Sequence, residues 1–394
     1  MTLKKLTFAL LVATMGLQGV NSYAQRTGKS GVPALVYSQE NTGAHIRGGR
    51  LPKNPLPIQR ALPDPLLMNN GKHRATKFKH WEKRRQEIGQ MIQYYEIGPK
   101  PMVAPDQIRA RMDGDTLRVV VTVGDERLEL SSVITYPEGD GPFPLMIGTS
   151  HISLPKDVFK GRPIALMTFN EAQVNNYSQF GNPAGRGHYN FDRLYPELIE
   201  NGAYSEWAWG LSRLIDGFQL LGTERTRIDM SHIGVTGCSY AGKMALFCGA
   251  FDERIALTIA QEPGGGGVAN WRTSHELEGV EDLDHTDYHW FKESLKSSFH
   301  GDSVYQLPYD HHELVAMICP RAVLMLGNTD YKWLADPSAE VSMKAAGKVW
   351  QQYGIADRIG YSIRGNHPHC QLPQEQYGIV EDFIDRFLLG KKAK

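Results

Sequence analysis

Charge of one sign, long apolar runs and cysteine are all scarce in this chain of 394 residues. Its 43 basic and 43 acidic side chains cancel, and lysine- or arginine-rich runs do not occur. That excludes a general nucleic-acid or membrane-surface binder and leaves neutral polymers and small substrates. After the amino terminus no run of about twenty apolar side chains follows, so no membrane span is predicted. No repeat of fixed period is visible, and the only low-complexity piece is Gly264 to Gly267. Cysteine is limited to Cys238, Cys248, Cys319 and Cys370, which leaves three connectivities for a full pairing. What is there, 41% hydrophobic side chains, suffices for one large α/β domain, or two modest ones, with a sizeable core.

The one apolar run at the start belongs to "MTLKKLTFALLVATMGLQGVNSYAQ". Lys4 and Lys5 form a basic head, the run from Leu6 to about Val20 follows, and Ser22 and Ala24 supply small residues before a cleavage point. Residues 1–24 therefore read as a signal peptide cut after Ala24, giving a secreted or periplasmic protein. An oxidising compartment permits disulfides.

Residues 25 to about 60 are rich in Gly, Pro, Asn and Arg without periodicity, and read as an extended or partly disordered arm. Residues 61–394 read as one catalytic domain with an insertion at 268–316. "WEKRRQEIGQMIQYY" has helical spacing, with Trp81, Ile88, Met91, Ile92 and Tyr95 able to share a face. "TLRVVVTVGDERLELSSVITYP" alternates like a hairpin around Gly124-Asp125. Strand-like "FPLMIGT", "HIGVTG", "IALTIA", "AVLMLG" and "IGYSIRG" then interleave with helix-like "WAWGLSRLIDGFQLL", "KMALFCGAF" and "EQYGIVEDFIDRFLLG". Such alternation predicts an α/β fold, with a mainly parallel mixed sheet and helices on both faces.

Chemistry concentrates in "HIGVTGCSYAGKMALF", where Ser239 stands on a small-residue turn between strand and helix. Serine needs a base beside it to attack at neutral pH, and a sharp turn lifts its hydroxyl out of the sheet. The strict G-x-S-x-G pattern is missed, because Ala241 stands two residues after Ser239 and glycine comes only at Gly242. A serine capping the following helix is the bland alternative. Glu262 ends the next strand-like run, where open α/β sheets form ligand crevices. It is followed by Pro263 and four glycines, which lack phosphate-loop spacing and serve to bend the loop. "SIRGNHPHCQLP" offers His367 and His369 after the last strand, the place of the histidine in a Ser–acid–His order. A bridge between Cys238 and Cys370 would bring Ser239 close to His369 and favour it over His367. Cys248 and Cys319 read as buried thiols with a second bridge still open. Asp330, in "LGNTDYKW", is the alternative acid.

With these residues placed, the sequence resembles the glucuronoyl esterases, carbohydrate esterase family 15, or a sister family of uronic-acid methylesterases. The likeness runs from "LPDPLLMNNGK" through "GAYSEWAWGLSRLIDG", "VTGCSYAGK", "GAFDERIALTIAQE", "LPYDHHELVAMICPRAVL" and "WLADP" to "NHPHCQLP". It implies an α/β-hydrolase fold, a three-layer sandwich, acting without cofactor or metal as a monomer on uronic-acid-containing polysaccharide. It implies Ser239 as nucleophile, Glu262 as acid, His369 as base and a Cys238–Cys370 bridge. It further implies sugar contacts by Lys243 and Trp333, and by offset Glu293. One departure stands out. The family usually has arginine directly after the serine; here Tyr240 follows, leaving its backbone N–H and the loop Thr149 to Ile152 as oxyanion donors. A phenol offers one hydrogen bond where arginine brings charge and several donors. Losing one such donor commonly costs about 10²–10³ in rate, which makes methyl-esterified galacturonic acid, as in pectin, an alternative substrate.

Three rival readings follow from the same residues. A metallohydrolase would use "DHTDYH" or "DHHE", but neither has H-E-x-x-H spacing. An acetyl esterase or peptidase shares the fold, and fold does not fix function. A non-catalytic carbohydrate-binding relative would explain Tyr240.

Overall fold

The computed structural model describes residues 33–40, 51–52, 56–181 and 185–392. The signal peptide expected over 1–24 lies outside the described residues. The strands are β1 (Ile108–Asp113), β2 (Thr116–Val123), β3 (Glu126–Thr135), β4 (Phe143–Thr149) and β5 (Ala165–Phe169), then β6 (Ile228–Cys238), β7 (Ile255–Gln261), β8 (Ala322–Asn328) and β9 (Ile359–Arg364). The first helices are α1 (Phe78–Ile92), α2 (Asn190–Leu194), α3 (Ala203–Leu221), α4 (Thr223–Thr226) and α5 (Tyr240–Phe251). They are followed by α6 (Trp271–His275), α7 (Glu293–Phe299), α8 (His311–Ala316), α9 (Asp336–Gln352) and α10 (Tyr377–Phe387).

One nine-stranded sheet runs in the order β1-β2-β3-β5-β4-β6-β7-β8-β9. The β1–β2, β2–β3 and β3–β5 pairings are antiparallel, and every pairing from β5 to β9 is parallel. Side chains of a strand alternate between faces, and here both faces are covered. Leu145 and Ile147 of β4 and Val323 and Met325 of β8 join a core with α1, α3, α5 and α9. Met146, Leu324 and Leu326 point the other way, onto Val380, Phe383, Ile384 and Phe387 of α10. The result is a three-layer α/β-hydrolase architecture with a mixed sheet, as the alternation of segments predicts.

The hairpin forms where expected, with Val123 opposite Glu126 across Gly124-Asp125, and Gly124 takes φ +58°. "FPLMIGT" is β4, residue for residue. The helix expected over 81–95 begins at Phe78 and widens into a π-helical turn over Gln93–Ile97. The sequence expectation named neither β1, β5 and α9 nor the short helices α2, α4, α6, α7 and α8. The buried face of α9 includes Ser338 and Ser342, which break its apolar stripe. Ser338 Oγ donates to the Asn270 carbonyl, and the Asn270 amide donates to Ser342 Oγ at 3.1 Å. Polar pairing thus replaces the hydrophobic period that would have marked the helix.

The segment 268–316 connects β7 to β8 and carries α6, α7 and α8. Its Trp271, Trp290, Phe291 and Tyr309 are core residues. The described part of the arm is held at Glu40, which pairs with Lys100 and Arg213 in the interior.

Candidate active site

Three chain segments converge at the carboxyl ends of β6, β7 and β9. Ser239 follows β6 at φ 59°, ψ −127°, a conformation costly for a residue with a side chain. Its neighbours explain the missed motif. A Cβ at Gly237 would lie 2.1 Å from Thr149 Oγ1, and one at Gly242 would lie 2.5 Å from the Gln261 carbonyl. Position 242, not 241, is where α5 passes closest to β7, and Ala241 is accommodated fully buried. The turn is tied down by Ser239 N–H donating to the Gln261 carbonyl at 3.0 Å.

Glu262 stands at the end of β7 with φ 46° and is 1% exposed. Its Oε2 lies 2.5 Å from Nδ1 of His369. The Cys370 N–H lies 3.2 Å from both carboxylate oxygens, and the Gln261 and Asn328 amides approach at 3.4 Å. Hydrogen bonds from all sides satisfy the buried carboxylate and fix its orientation.

His369 sits on the loop after β9. Its N–H donates to Tyr331 Oη at 2.8 Å, and its ring is flanked by Tyr331 and Trp333 at centroid distances of 5.3 and 5.9 Å. Cys238 and Cys370 form a disulfide with Cα atoms 5.7 Å apart, and a His369 ring nitrogen lies within 4.8 Å of both sulfurs. His369 is thereby tethered to the Ser239 turn. Cys248 and Cys319 are free and buried, and burial pushes both thiols up.

Of the three residues expected to contact sugar, all but one neighbour this group. Asp330 does not reach His369: its Oδ2 accepts the His367 N–H at 3.1 Å. His367 is buried, and its Nδ1 lies 3.1 Å from the Asn328 amide and 4.0 Å from Glu262. Lys243 pairs with Glu281 at 2.7 Å and lies 5.0 Å from the Trp290 ring centroid. Trp333 is 47% exposed beside His369. Glu293 is the exception. It begins α7 and lines a depression with Asp284, Lys296 and His300, and no hydrogen bond or ion pair joins it to Lys243 among the described residues. The carboxylate that pairs with Lys243 is Glu281.

Tyr240 turns its phenol to Ser150 Oγ and Glu171 Oε1, both at 3.0 Å. Ser150 follows β4 at φ 64°. Nothing in the spacing pointed to Glu171, Glu281 or Asn328, because each is defined by its partner across the fold. Tyr331 stands beside the quoted Asp330 and was reachable. Asp336, the first residue of α9, packs against Gly327 and keeps Oδ2 buried without a partner. Burial pushes its carboxyl up to about 6; a backbone hydrogen bond from Asn328 opposes the shift, and the charge of Glu262 adds to it.

The acidic and histidine-rich clusters serve structure. Asp310 pairs with Arg272, His311 with Glu96 and Glu313 with Arg84, while His312 bonds the Pro63 carbonyl. Asp287 accepts from Tyr177, whose ring stacks on His289 at 4.3 Å. His275, Asp282 and Asp284 bring donor atoms within 4.8 Å of one another. Each is already engaged, by Asp302, by His285 and by the Gly301 N–H respectively.

A fungal glucuronyl esterase family model matches residues 119–354. The 4-O-methyl-glucuronoyl methylesterase of Thermothelomyces thermophilus is 37% identical over 336 residues, 84% of this chain and 82% of that protein. The crystal structure of the glucuronoyl esterase from Sporotrichum thermophile superposes with TM-score 0.78 and 35% identity, covering 86% of this chain and 91% of that one. A carbohydrate esterase family 15 glucuronoyl esterase from Caldicellulosiruptor kristjansonii gives TM-score 0.69 at 27% identity, covering 84% and 92%. The chain is therefore a carboxylic ester hydrolase with the α/β-hydrolase fold. It belongs to the glucuronoyl esterase family.

Proposed function

We propose that this chain is an exported serine esterase that hydrolyses esters of the carboxyl group of glucuronic acid. The observation that carries the reading is the Glu262–His369 pair, bonded at 2.5 Å and tethered by the disulfide to the Ser239 turn. A variant of the Sporotrichum thermophile enzyme, bound to methyl 4-O-methyl-beta-D-glucopyranuronate, superposes on this chain with TM-score 0.78 at 35% identity. Export is supported by the leader in the sequence; no described helix is long and apolar enough to cross a membrane.

His369 takes the Ser239 proton as Oγ attacks the ester carbonyl, and Glu262 stabilises the imidazolium and fixes its tautomer. The negative oxygen is held by backbone N–H groups, that of Tyr240 among them. The tetrahedral adduct collapses to a Ser239 acyl-enzyme as the alkoxide leaves with the proton from His369. Water, deprotonated by His369, then adds to the acyl carbon, and Ser239 departs with that proton. Lys243 with Glu281, and Trp333, are the polar and aromatic contacts for the sugar ring.

The test is alcohol release from methyl glucuronate, with Ser239→Ala as control. Turnover lost in the variant is expected, and equal turnover in both would overturn the assignment. Tyr240 in place of a guanidinium favours a second reading, methyl-esterified galacturonan. Turnover of that polymer alone would move the protein to pectin.

A further inference from the structure

We propose that Glu171 makes the wall beside the acyl carbon anion-rejecting, so that the site takes esterified uronic acid and expels free uronate. The inference rests on Ser239 acting on uronate esters. A phenol has one proton to donate. Tyr240 Oη has Glu171 Oε1 and Ser150 Oγ both at 3.0 Å. A carboxylate is the stronger acceptor, so the phenol proton goes to Glu171 and the Ser150 hydroxyl donates to the phenol oxygen. Tyr240 then has no proton left for a substrate oxygen, and a negative charge stands behind it.

The position of that charge gives it a consequence. Tyr240 directly follows the nucleophile, and Ser150 heads the loop after β4, two strand ends that border the carbonyl oxygen of an ester on Ser239. Among the described residues no cation pairs with Glu171. Lys243 is held by Glu281 at 2.7 Å, and Arg186 donates to the carbonyls of Asn201, Tyr288 and Phe291. Ester and product share every acyl atom and differ in charge. Two like charges facing each other at a partly exposed site repel enough to shift affinity about five- to tenfold. The same field opposes the oxyanion, which backbone N–H groups meet at hydrogen-bond distance during its short life. The free carboxylate carries full charge, and the nearby Lys243 ammonium is already paired with Glu281. A polymer in which most uronates are unesterified would thus not occupy the enzyme.

Hydrolysis of methyl glucuronate by the full chain, with free glucuronate as competitor, tests this at about 20 and 500 mM salt. For the wild type the inhibition constant should lie well above KM and fall as salt rises. Glu171→Gln keeps an acceptor for the phenol; its ratio of inhibition constant to KM should fall about fivefold and lose its salt dependence. An unchanged ratio and salt response in Glu171→Gln would overturn the inference. Calorimetric binding of glucuronate to Ser239→Ala, with and without Glu171→Gln, reads the same shift without turnover. Equal affinities there would overturn it too. Failure of the wild type to cleave either uronate ester would overturn the functional reading instead.

Discussion

Five residues with side chains take left-handed backbone around the site: Ser150, Ser239, Glu262, Asn366 and Cys370. Each such conformation costs about 1–3 kcal/mol and persists only where the surroundings over-determine it. Their clustering marks where the fold gives up stability for geometry. The identity of the acid is tested at this scale. Glu262→Gln keeps the shape of the side chain but removes the charge that steadies the imidazolium, so kcat should fall about 10³–10⁴-fold with KM little changed. Asp330→Asn keeps an acceptor for the His367 N–H, and one hydrogen bond is worth at most about tenfold. Steady-state kinetics on both variants checks the order; a larger loss in Asp330→Asn would reverse the assignment. Ser239, Glu262 and His369 were legible because strand, turn and loop signals surround them. Glu171 and Glu281 were not, since an isolated glutamate gains a role only from the phenol or ammonium that the fold sets against it.

Among the elements, the loop after β9 depends most on a single link. The Cys238–Cys370 bridge spans 132 residues of sequence, and closing a loop of that size removes about 4–5 kcal/mol of denatured-state entropy in the chain model. Replacing both cysteines by serine should lower unfolding stability by several kcal/mol in denaturant titration. Activity should be lost at lower denaturant than the fold, because Glu262 then holds the His369 loop with hydrogen bonds alone. Coincident loss of activity and fold would show that the bridge stabilises the whole molecule without separately positioning the loop. The element boundaries were legible where one periodicity ran unbroken, as in β4 and the hairpin of β2 and β3. They were hidden in α9, where Ser338 and Ser342 serve Asn270, and in β5, whose burial alternates but whose half-buried face carries the apolar Leu166. Sequence periodicity reports apolar burial, so elements fixed by polar pairing escape it.

For the whole molecule, the buried charges set how stability responds to pH. Beneath the Gly264–Gly267 loop that follows Glu262, His311 Nε2 lies 2.7 Å from Glu96 Oε1, and its Nδ1 bonds the Gly267 carbonyl. Both side chains are fully buried. Burial alone pulls this imidazole down, but Glu96, Asp310 and the Gly267 carbonyl together hold it above its ordinary value. A group with a raised folded pKa stabilises fully below its unfolded value, about 6.5 for histidine, and loses that contribution as pH rises through the folded value. His312 works the other way, since burial holds it below its ordinary value and favours its neutral form. Unfolding free energy should therefore decline from neutral into alkaline pH. His311→Gln should lower it by about 3–5 kcal/mol near neutrality, because Glu96 is left buried without its partner. The same variant should flatten the alkaline decline. Urea titrations of both proteins across neutral and alkaline pH check this. A decline of the same slope in His311→Gln would assign it to other groups, while a flat curve would place the alkaline limit of the fold in one imidazole under the Gly264–Gly267 loop.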